Sequence, residues 1–211
     1  MKYQPIQVTV DIVVFTVHEQ TLQVLLIERG IDPFKGRYAL PGGFVRAEET
    51  LEQAAFRELL EETGTKDVYL EQLYTFGDPH RDPRGRVVTV AYYALVPTDK
   101  SPLLAGTDAA TAGWYPVSAL PPLAFDHKRI VEYAVDRLRN KLEYTNVGFQ
   151  LLPAKFTLSA LQALHEAILG KPLDKRNFRR KVLGLGLVKP SKEMQATGRK
   201  PAQLFSFRHT T

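Results

Sequence analysis

Cysteine is absent from this chain of 211 residues. Disulfides and thiolate-bound metals are therefore excluded. No apolar run approaches the ~18 residues that a bilayer-spanning helix needs. The N-terminal stretch MKYQPIQVTVDIVVF lacks a signal-peptide layout, since its apolar run is short and alternates like a strand. The expectation is a cytoplasmic protein with no membrane segment. Internal repeats and low-complexity tracts are missing too, and no two of the five histidines share metal-ligand spacing. The most telling scarcity is of acid near the C-terminus. Residues 153–211 hold twelve Lys and Arg but three Asp and Glu, whereas residues 1–152 hold sixteen against twenty. A formal net charge of +5 thus hides a split between an acidic part and a strongly basic one. Such asymmetry points to a polyanion-binding module at the C-terminal end.

What is present begins as mixed α/β, and 44% of the chain is apolar. Val8–Val17 and Gln23–Glu28 are rich in Val, Ile and Leu and read as strands joined by a polar HEQT turn. Tyr38–Leu40 leads into the turn Pro41-Gly42-Gly43. Val68–Phe76, Val87–Val96 and Thr111–Val117, with the only tryptophan, Trp114, read as further strands. Asp126 is placed to cap a helix whose apolar stripe is Ile130, Tyr133, Ala134, Leu138 and Leu142.

Between these elements, residues 43–65 read GFVRAEETLEQAAFRELLEETGT. Leu51, Ala54, Ala55 and Leu59 recur at helical spacing, so an amphipathic helix is expected. Four glutamates, Glu49, Glu58, Glu61 and Glu62, surround one arginine, Arg57. Glu58 and Glu62 share a helix face, where like charges repel by roughly 0.2–0.5 kcal/mol per pair. A hard divalent cation offsets that cost, because Mg²⁺ is held by one or two carboxylates plus water and phosphate oxygens. A solvated acidic face is the plain alternative. The flanking glycines argue for more, because the stretch fits G-x5-E-x7-R-E-U-x-E-E-x-G-U, where U is apolar. It resembles the Nudix box at every charged and glycine position, with Thr65 as the one departure. The resemblance implies an α/β/α sandwich over about residues 6–145 that hydrolyses a nucleoside diphosphate derivative with Mg²⁺ or Mn²⁺. It implies Glu58 and Glu62 as the main metal ligands, with Glu61 as a further ligand or the base that deprotonates water. Arg57 would orient the glutamates by pairing with Glu49, and Gly43 would offer a backbone carbonyl to the metal.

Substrate identity rests on the loop GDPHRDPRGR, which looks like the segment before the Val-rich strand in Nudix enzymes acting on ADP-ribose. Arg81, Arg84 and Arg86 can pair bidentately with phosphate oxygens; a polar surface turn would show Asp-Pro and Arg-Gly as well. Arg37 and Phe34 are further candidates for ligand contact. His80 and His127 read mainly as structural, and Tyr3, Tyr38, Tyr92, Tyr93 and Trp114 more as core than as stacking platforms.

Glu143–Lys155, with Gly148 and Pro153, reads as a linker. A helix opening at Phe156-Thr157-Leu158-Ser159 follows, then the turn Gly170-Lys171-Pro172-Leu173 and a basic helix capped by Asp174. Two short apolar segments flank a basic stretch, completing the order of a winged helix-turn-helix. Phe178, Val182 and Leu183 are expected in its small core. Lys175, Arg176, Asn177, Arg179 and Arg180 would meet DNA from the basic helix, and Arg199 and Lys200 from the wing. A solvated basic face on a helical dimerisation domain is the alternative.

A Nudix domain followed by a phrase such as FTLSALQALHEAILGKPLDKRNFRRKVLGLGLV resembles the NrtR family of Nudix-related transcriptional regulators over nearly the whole chain. The expected organisation is a Nudix domain at 1–145, a linker at 146–155 and a winged helix at 156–211. The resemblance implies a repressor of NAD-metabolism genes that binds a double-stranded palindromic operator as a homodimer and is released by ADP-ribose or a related metabolite. Many members of that family have lost box glutamates; this chain retains them. Three functions follow: a hydrolase that is also a regulator, a catalytically silent sensor, or a plain pyrophosphatase with a structural basic tail.

Overall fold

The computed structural model describes residues 5–64, 68–100, 112–196 and 201–208. Its central strand is β1 (Gln7–His18), in which successive side chains enter opposite cores. Val10, Ile12 and Val14 point into one, Val13 and Phe15 into the other. β1 pairs antiparallel with β2 (Thr21–Glu28) near one end and with β4 (Gly42–Phe44) near the other. Its second edge pairs in parallel with β6 (Val87–Leu95), which pairs antiparallel with β5 (Tyr69–Phe76). β3 (Tyr38–Ala39) and β7 (Ala112–Pro116) add to β2 and complete a seven-stranded mixed sheet. The expected strands are found, each within a residue or two of its anticipated limits.

One face of the sheet carries α1 (Leu51–Thr63), which buries Ala54, Ala55 and Leu59 against Tyr92 and the even side of β1. A capping box starts this helix: Thr50 Oγ1 accepts from the Gln53 N–H, and the Gln53 side chain accepts from the Thr50 N–H. Gly64 ends it at φ 65°, a left-handed cap suited to glycine. The motif glycine at this position therefore stops the helix directly after its glutamates.

The other face carries α2 (His127–Tyr144), whose Ile130, Val131, Ala134, Val135 and Leu138 fill the second core. Tyr133, expected on the apolar stripe, is 38% exposed and instead stacks with Tyr74 at the edge of the sheet. Within residues 146–155, expected as a linker, the first part packs against the protein while Pro153, Ala154 and Lys155 are exposed. Val147–Leu151 form a 3-10 turn, and Val147 and Leu151 join the α2 core. The next helix, α3 (Leu158–Leu169), serves two cores at once. Leu164 and Ile168 pack with α2 and the sheet, while Leu158 and Leu161 pack in the C-terminal module. Arg139 on α2 donates from Nε to the Ile168 carbonyl at 2.9 Å, binding the end of α3.

The C-terminal module completes the winged-helix order with α4 (Lys175–Gly184) and the hairpin β8 (Val188–Gln195) and β9 (Ala202–Phe207). The fold is therefore an α/β/α sandwich followed by a small winged helix, the order that the resemblance to the Nudix box and to NrtR regulators implies. Glu166 and Gln162 on α3 bind the backbone of Leu173 and fix the turn into α4, which Asp174 caps. Phe178 and Val182 face the module's core. Leu183 does not: it is 51% exposed, because the step from Val182 to the next residue swings it to the open side of the helix.

Candidate functional site

Glu49, Glu58 and Glu61 meet Arg57 beside the glycine turn of β4. Arg57 donates from Nε and Nη2 to the two oxygens of Glu49, at 3.0 and 2.7 Å. Its Nη1 donates to Glu58 at 2.6 Å and lies 3.7 Å from Glu61. Glu49 also accepts from the Arg46 N–H. Bonding to Arg57, helped by Arg46, holds the Glu49 carboxyl down to about 2. The same contacts raise the Arg57 pKa. The guanidinium is thus a fixed hub that sets the rotamers of two carboxylates.

Gly43 lies so close to Glu58 that a Cβ there would overlap the carboxylate. A side chain there would have to push the Glu58 carboxylate away from the β4 backbone, so glycine is what lets that carboxylate rest against the strand. Glu61 is half exposed at the mouth of the cluster. Glu62 is on α1, but its side chain lies outside the described residues, as does Thr65. Among the described residues no three acidic or histidine side chains are gathered as a metal cage. The donors present are all oxygen, on one helix and one glycine turn, which is the chemistry of a Mg²⁺ or Mn²⁺ site rather than a softer one.

The arginine loop sorts into three roles. Arg81 turns inward, with 3% of its side chain exposed. It donates to both oxygens of Asp126, at 2.6 and 3.0 Å, and to Asp11 at 3.3 Å. Burial opposes its charge, but Asp126 and Asp11 outweigh that and raise its pKa. The expectation that Arg81 contacts ligand is therefore not met in this geometry, because carboxylates take up its guanidinium. Asp126 sits at the N-cap of α2 yet caps nothing with its side chain, which is given to Arg81. Arg86 donates to the Gly77 carbonyl and closes the loop. Arg84 is bound to Asp82 but keeps about a third of its side chain exposed. Arg37 lies over the ring of Phe34 and is exposed, and His80 is exposed.

His127 is buried directly behind the Pro41-Gly42-Gly43 turn. Its Nδ1 accepts from the Leu40 N–H at 2.9 Å, so Nε2 carries the hydrogen and faces Asp11 at 3.6 Å. Burial lowers its pKa despite Asp11, keeping the ring neutral. Tyr92 and Tyr93 are core residues, and Tyr38 stacks on Tyr115. Tyr3 lies outside the described residues.

On α4, Lys175, Arg176, Asn177, Arg180 and Lys181 are exposed. Arg180 bonds Asn177, and Arg179, half-buried, bonds Ser159, so of the expected DNA-contacting side chains on α4 all but Arg179 are open to solvent. Arg199 and Lys200 fall outside the described residues.

Comparison with known proteins agrees with this division. The NUDIX domain pattern matches residues 5–134, and the NrtR DNA-binding winged helix domain matches residues 148–207. An ADPR-responsive transcriptional repressor, NtrR, of Acinetobacter baylyi is 42% identical over 203 residues, which cover 94% of this chain and 81% of that protein. The chain belongs to the NrtR family. The crystal structure of Shewanella oneidensis NrtR complexed with a 27-mer DNA superposes with a TM-score of 0.87 at 39% identity, covering 95% of this chain and 93% of the other. An ADP-ribose pyrophosphatase of Methanocaldococcus jannaschii is 42% identical over 114 residues, 54% of this chain and 66% of that protein.

Within this NrtR-family chain, sequence reading passed over Asp11 and Asp82, both buried, and the partnership of His127 with the glycine turn. Asp11 carries a signal that could have been used. It is a lone carboxylate inside the apolar strand VTVDIVVF, which calls for a buried cation. Asp82 gave none, since an acid in a polar loop is unremarkable in sequence.

Proposed function

We propose that this chain is a DNA-binding repressor whose operator affinity is set by ADP-ribose held in its Nudix domain. We propose further that the domain hydrolyses ADP-ribose to AMP and ribose 5-phosphate. The regulatory half is supported by the full-length likeness to a relative named as an ADPR-responsive repressor and by the basic, open face of α4. The single observation that carries the catalytic half is the complete carboxylate set of Glu58, Glu61 and Glu62 on a helix organised by the Arg57–Glu49 pair.

Glu58, Glu61, Glu62 and the Gly43 carbonyl would hold Mg²⁺ or Mn²⁺. Bound there, the cation would supply charge neutralisation for the diphosphate and acidify a water. Glu61 is the carboxylate suited to take that water's proton, because it is exposed and only loosely paired, 3.7 Å from Arg57. Arg57 and Glu49 keep Glu58 turned toward Gly43. Arg84, with Arg37 and Arg86 at the rim, would receive phosphate oxygens.

On the DNA side, Lys175, Arg176 and Arg180 would neutralise phosphates, and Asn177 is suited to adenine. A palindromic operator implies a homodimer. A repressor acts where its DNA is, in the cytoplasm, and no described helix is long and apolar enough to cross a membrane. For ligand to release DNA, it must bind the two arrangements with affinities differing by ~1–3 kcal/mol. α3, shared between the two cores, gives such coupling a rigid path.

The second reading is a sensor without turnover, favoured by the repressor name of the relative that spans the chain. Release of AMP from ADP-ribose with Mg²⁺, with a Glu61→Gln control, separates the two. Turnover lost in the control supports the hydrolase. Absence of turnover with ADP-ribose still weakening DNA binding supports the sensor. Truncation at Pro153 should abolish DNA binding, and DNA binding that survived it would refute the regulator.

A further inference from the structure

Among the phenylalanines that belong to no apolar core, Phe34, Phe44 and Phe125 gather around the arginine loop. Phe44 is 40% exposed, and the other two are half-buried. Two of them carry backbone strain, with Phe34 at φ 66° and Phe125 at φ 53°. Left-handed backbone is a true outlier for a bulky residue and persists where surroundings enforce it, often at ligand clamps. The strained pair meets edge-to-face, with ring centroids 4.9 Å apart. What the pair supports is a guanidinium. Arg84 lies 5.4 Å from the Phe125 ring centroid and 5.0 Å from that of Phe44, so two aromatic rings flank one cation.

Asp82 fixes the remaining freedom of Arg84. It accepts from Nε at 3.0 Å and from Nη2 at 2.7 Å, and its own side chain is almost wholly buried. The Arg84 Nη1 makes no hydrogen bond among the described residues, although the side chain remains partly open to solvent. A second cation, Arg29, stands 4.8 Å over the same Phe125 ring and, among the described residues, its side chain bonds only backbone carbonyls of its loop. Burial and the like charge of Arg84 lower the Arg29 pKa, against a weaker opposite pull from Asp82, Asp11 and Asp32. The geometry is that of a cation held in plane, with one donor edge unspent and a second positive charge beside it. An anion at that edge would relieve the repulsion.

The clamp also adjoins the glutamates. Phe44 follows Gly43, which lies against Glu58, and the Phe44 carbonyl accepts from Arg57 Nη2 at 3.4 Å. One residue therefore joins the carboxylate cluster to the arginine clamp. We propose that Phe44 and Phe125 are positioning residues that, with Asp82, hold Arg84 as the group that reads the phosphate oxygens of a diphosphate ester. This inference rests on the reading that the Nudix domain takes a nucleoside diphosphate, and it assigns the aromatic residues a part in selecting that class. The two rings act as plates that set the plane of the fork, which is what bidentate recognition of phosphate needs.

The test uses full-length protein and calorimetric titration of ADP-ribose, with adenosine as a ligand lacking phosphate. Phe44→Leu and Phe125→Leu should each weaken ADP-ribose binding about fivefold, the scale of a single ring–cation interaction. Tyrosine at either position keeps the ring face and should restore binding to within about twofold. Arg84→Lys keeps charge but loses the fork and should cost about tenfold or more. Adenosine binding should be unchanged throughout, and operator binding without ligand reports that each variant is folded. Leucine variants that bind ADP-ribose like wild type, or tyrosine variants as weak as leucine, would overturn the clamp. An equal loss of adenosine binding would also overturn it, since the rings would then be serving the fold or the base. Wild-type protein that binds no ADP-ribose would instead overturn the underlying functional reading, and the clamp with it.

Discussion

Arginine is used in opposite ways in the two parts of this molecule. In the sandwich, Arg57, Arg81 and Arg84 each face carboxylates: Glu49 and Glu58, Asp126 and Asp11, and Asp82. On α4, Lys175, Arg176, Arg179, Arg180 and Lys181 form no ion pair among the described residues. The first group holds geometry, because paired and partly buried charges are screened little and lock rotamers. The second group is unspent charge, which a polyanion can claim by releasing its counterions. Counting basic residues cannot distinguish these uses. Pairing does.

The sharpest way to break the comparison is at the cluster where pairing is loosest. Glu61→Gln should lower ADP-ribose turnover by about 10²–10⁴, the usual worth of a positioned base. Operator binding in the absence of ligand should be unaffected. A variant with wild-type turnover would remove Glu61 from the chemistry. Next in size is the tightest pairing. Arg81→Met leaves Asp11 and Asp126 without their cation and should cost about 3–5 kcal/mol of stability. Urea unfolding measures this directly. A loss below about 1 kcal/mol, the worth of a surface pair, would mean that the network is solvated rather than buried.

Those two residues also mark how far the sequence could be read. The environment of Glu61 was readable because helix spacing, flanking glycines and charge pattern lie within one local stretch, and α1 forms over that stretch. Arg81 was not, because its partners are 45 and 70 residues away and meet it only once β1 and the N-terminus of α2 are packed together. Burial inside the expected linker was hidden for a related reason. Gly148 and Pro153 do break regular structure, but local breaks say nothing of tertiary burial, and Val147 and Leu151 find the α2 core. Leu183 erred the other way, since an apolar residue next to Val182 was assigned inward without regard to the roughly 100° turn per residue.

The unpaired side of the comparison is sharpened by salt. Lys175→Ala together with Arg176→Ala should weaken operator binding on the order of a hundredfold at moderate ionic strength. The slope of log affinity against log salt should fall by about 0.9 for each phosphate that is no longer neutralised. Weaker binding with an unchanged slope would show that these side chains read bases or support the fold, not the backbone charge. Hydrolysis of ADP-ribose should be unaltered in the double variant.

The smallest effect concerns charges that the fold refuses to create. His127 is held neutral by burial, against the pull of Asp11, and His165 on α3 is likewise lowered by burial. The unfolded chain takes up protons at these positions near pH ~6.5, whereas the folded chain does so only at lower pH. Below that value the unfolded state binds more protons, so stability falls as pH falls, and it levels off above about pH 7.5. Each histidine should contribute a loss of at most about 1 kcal/mol between roughly pH 6.5 and 5.5. The low-lying carboxylates such as Glu49 act in a separate, more acidic window, because their stabilisation is present above the usual carboxylate range and is lost on the way down to about 2. Urea titrations at about pH 5.5, 6.5 and 7.5 should therefore show a slope that His165→Gln reduces by about half. A midpoint that did not change across that range would mean that both rings accept a proton in place. His127 would then be a member of the ion network with Asp11, Arg81 and Asp126, and the boundary between paired and unspent charge would run through the sandwich itself.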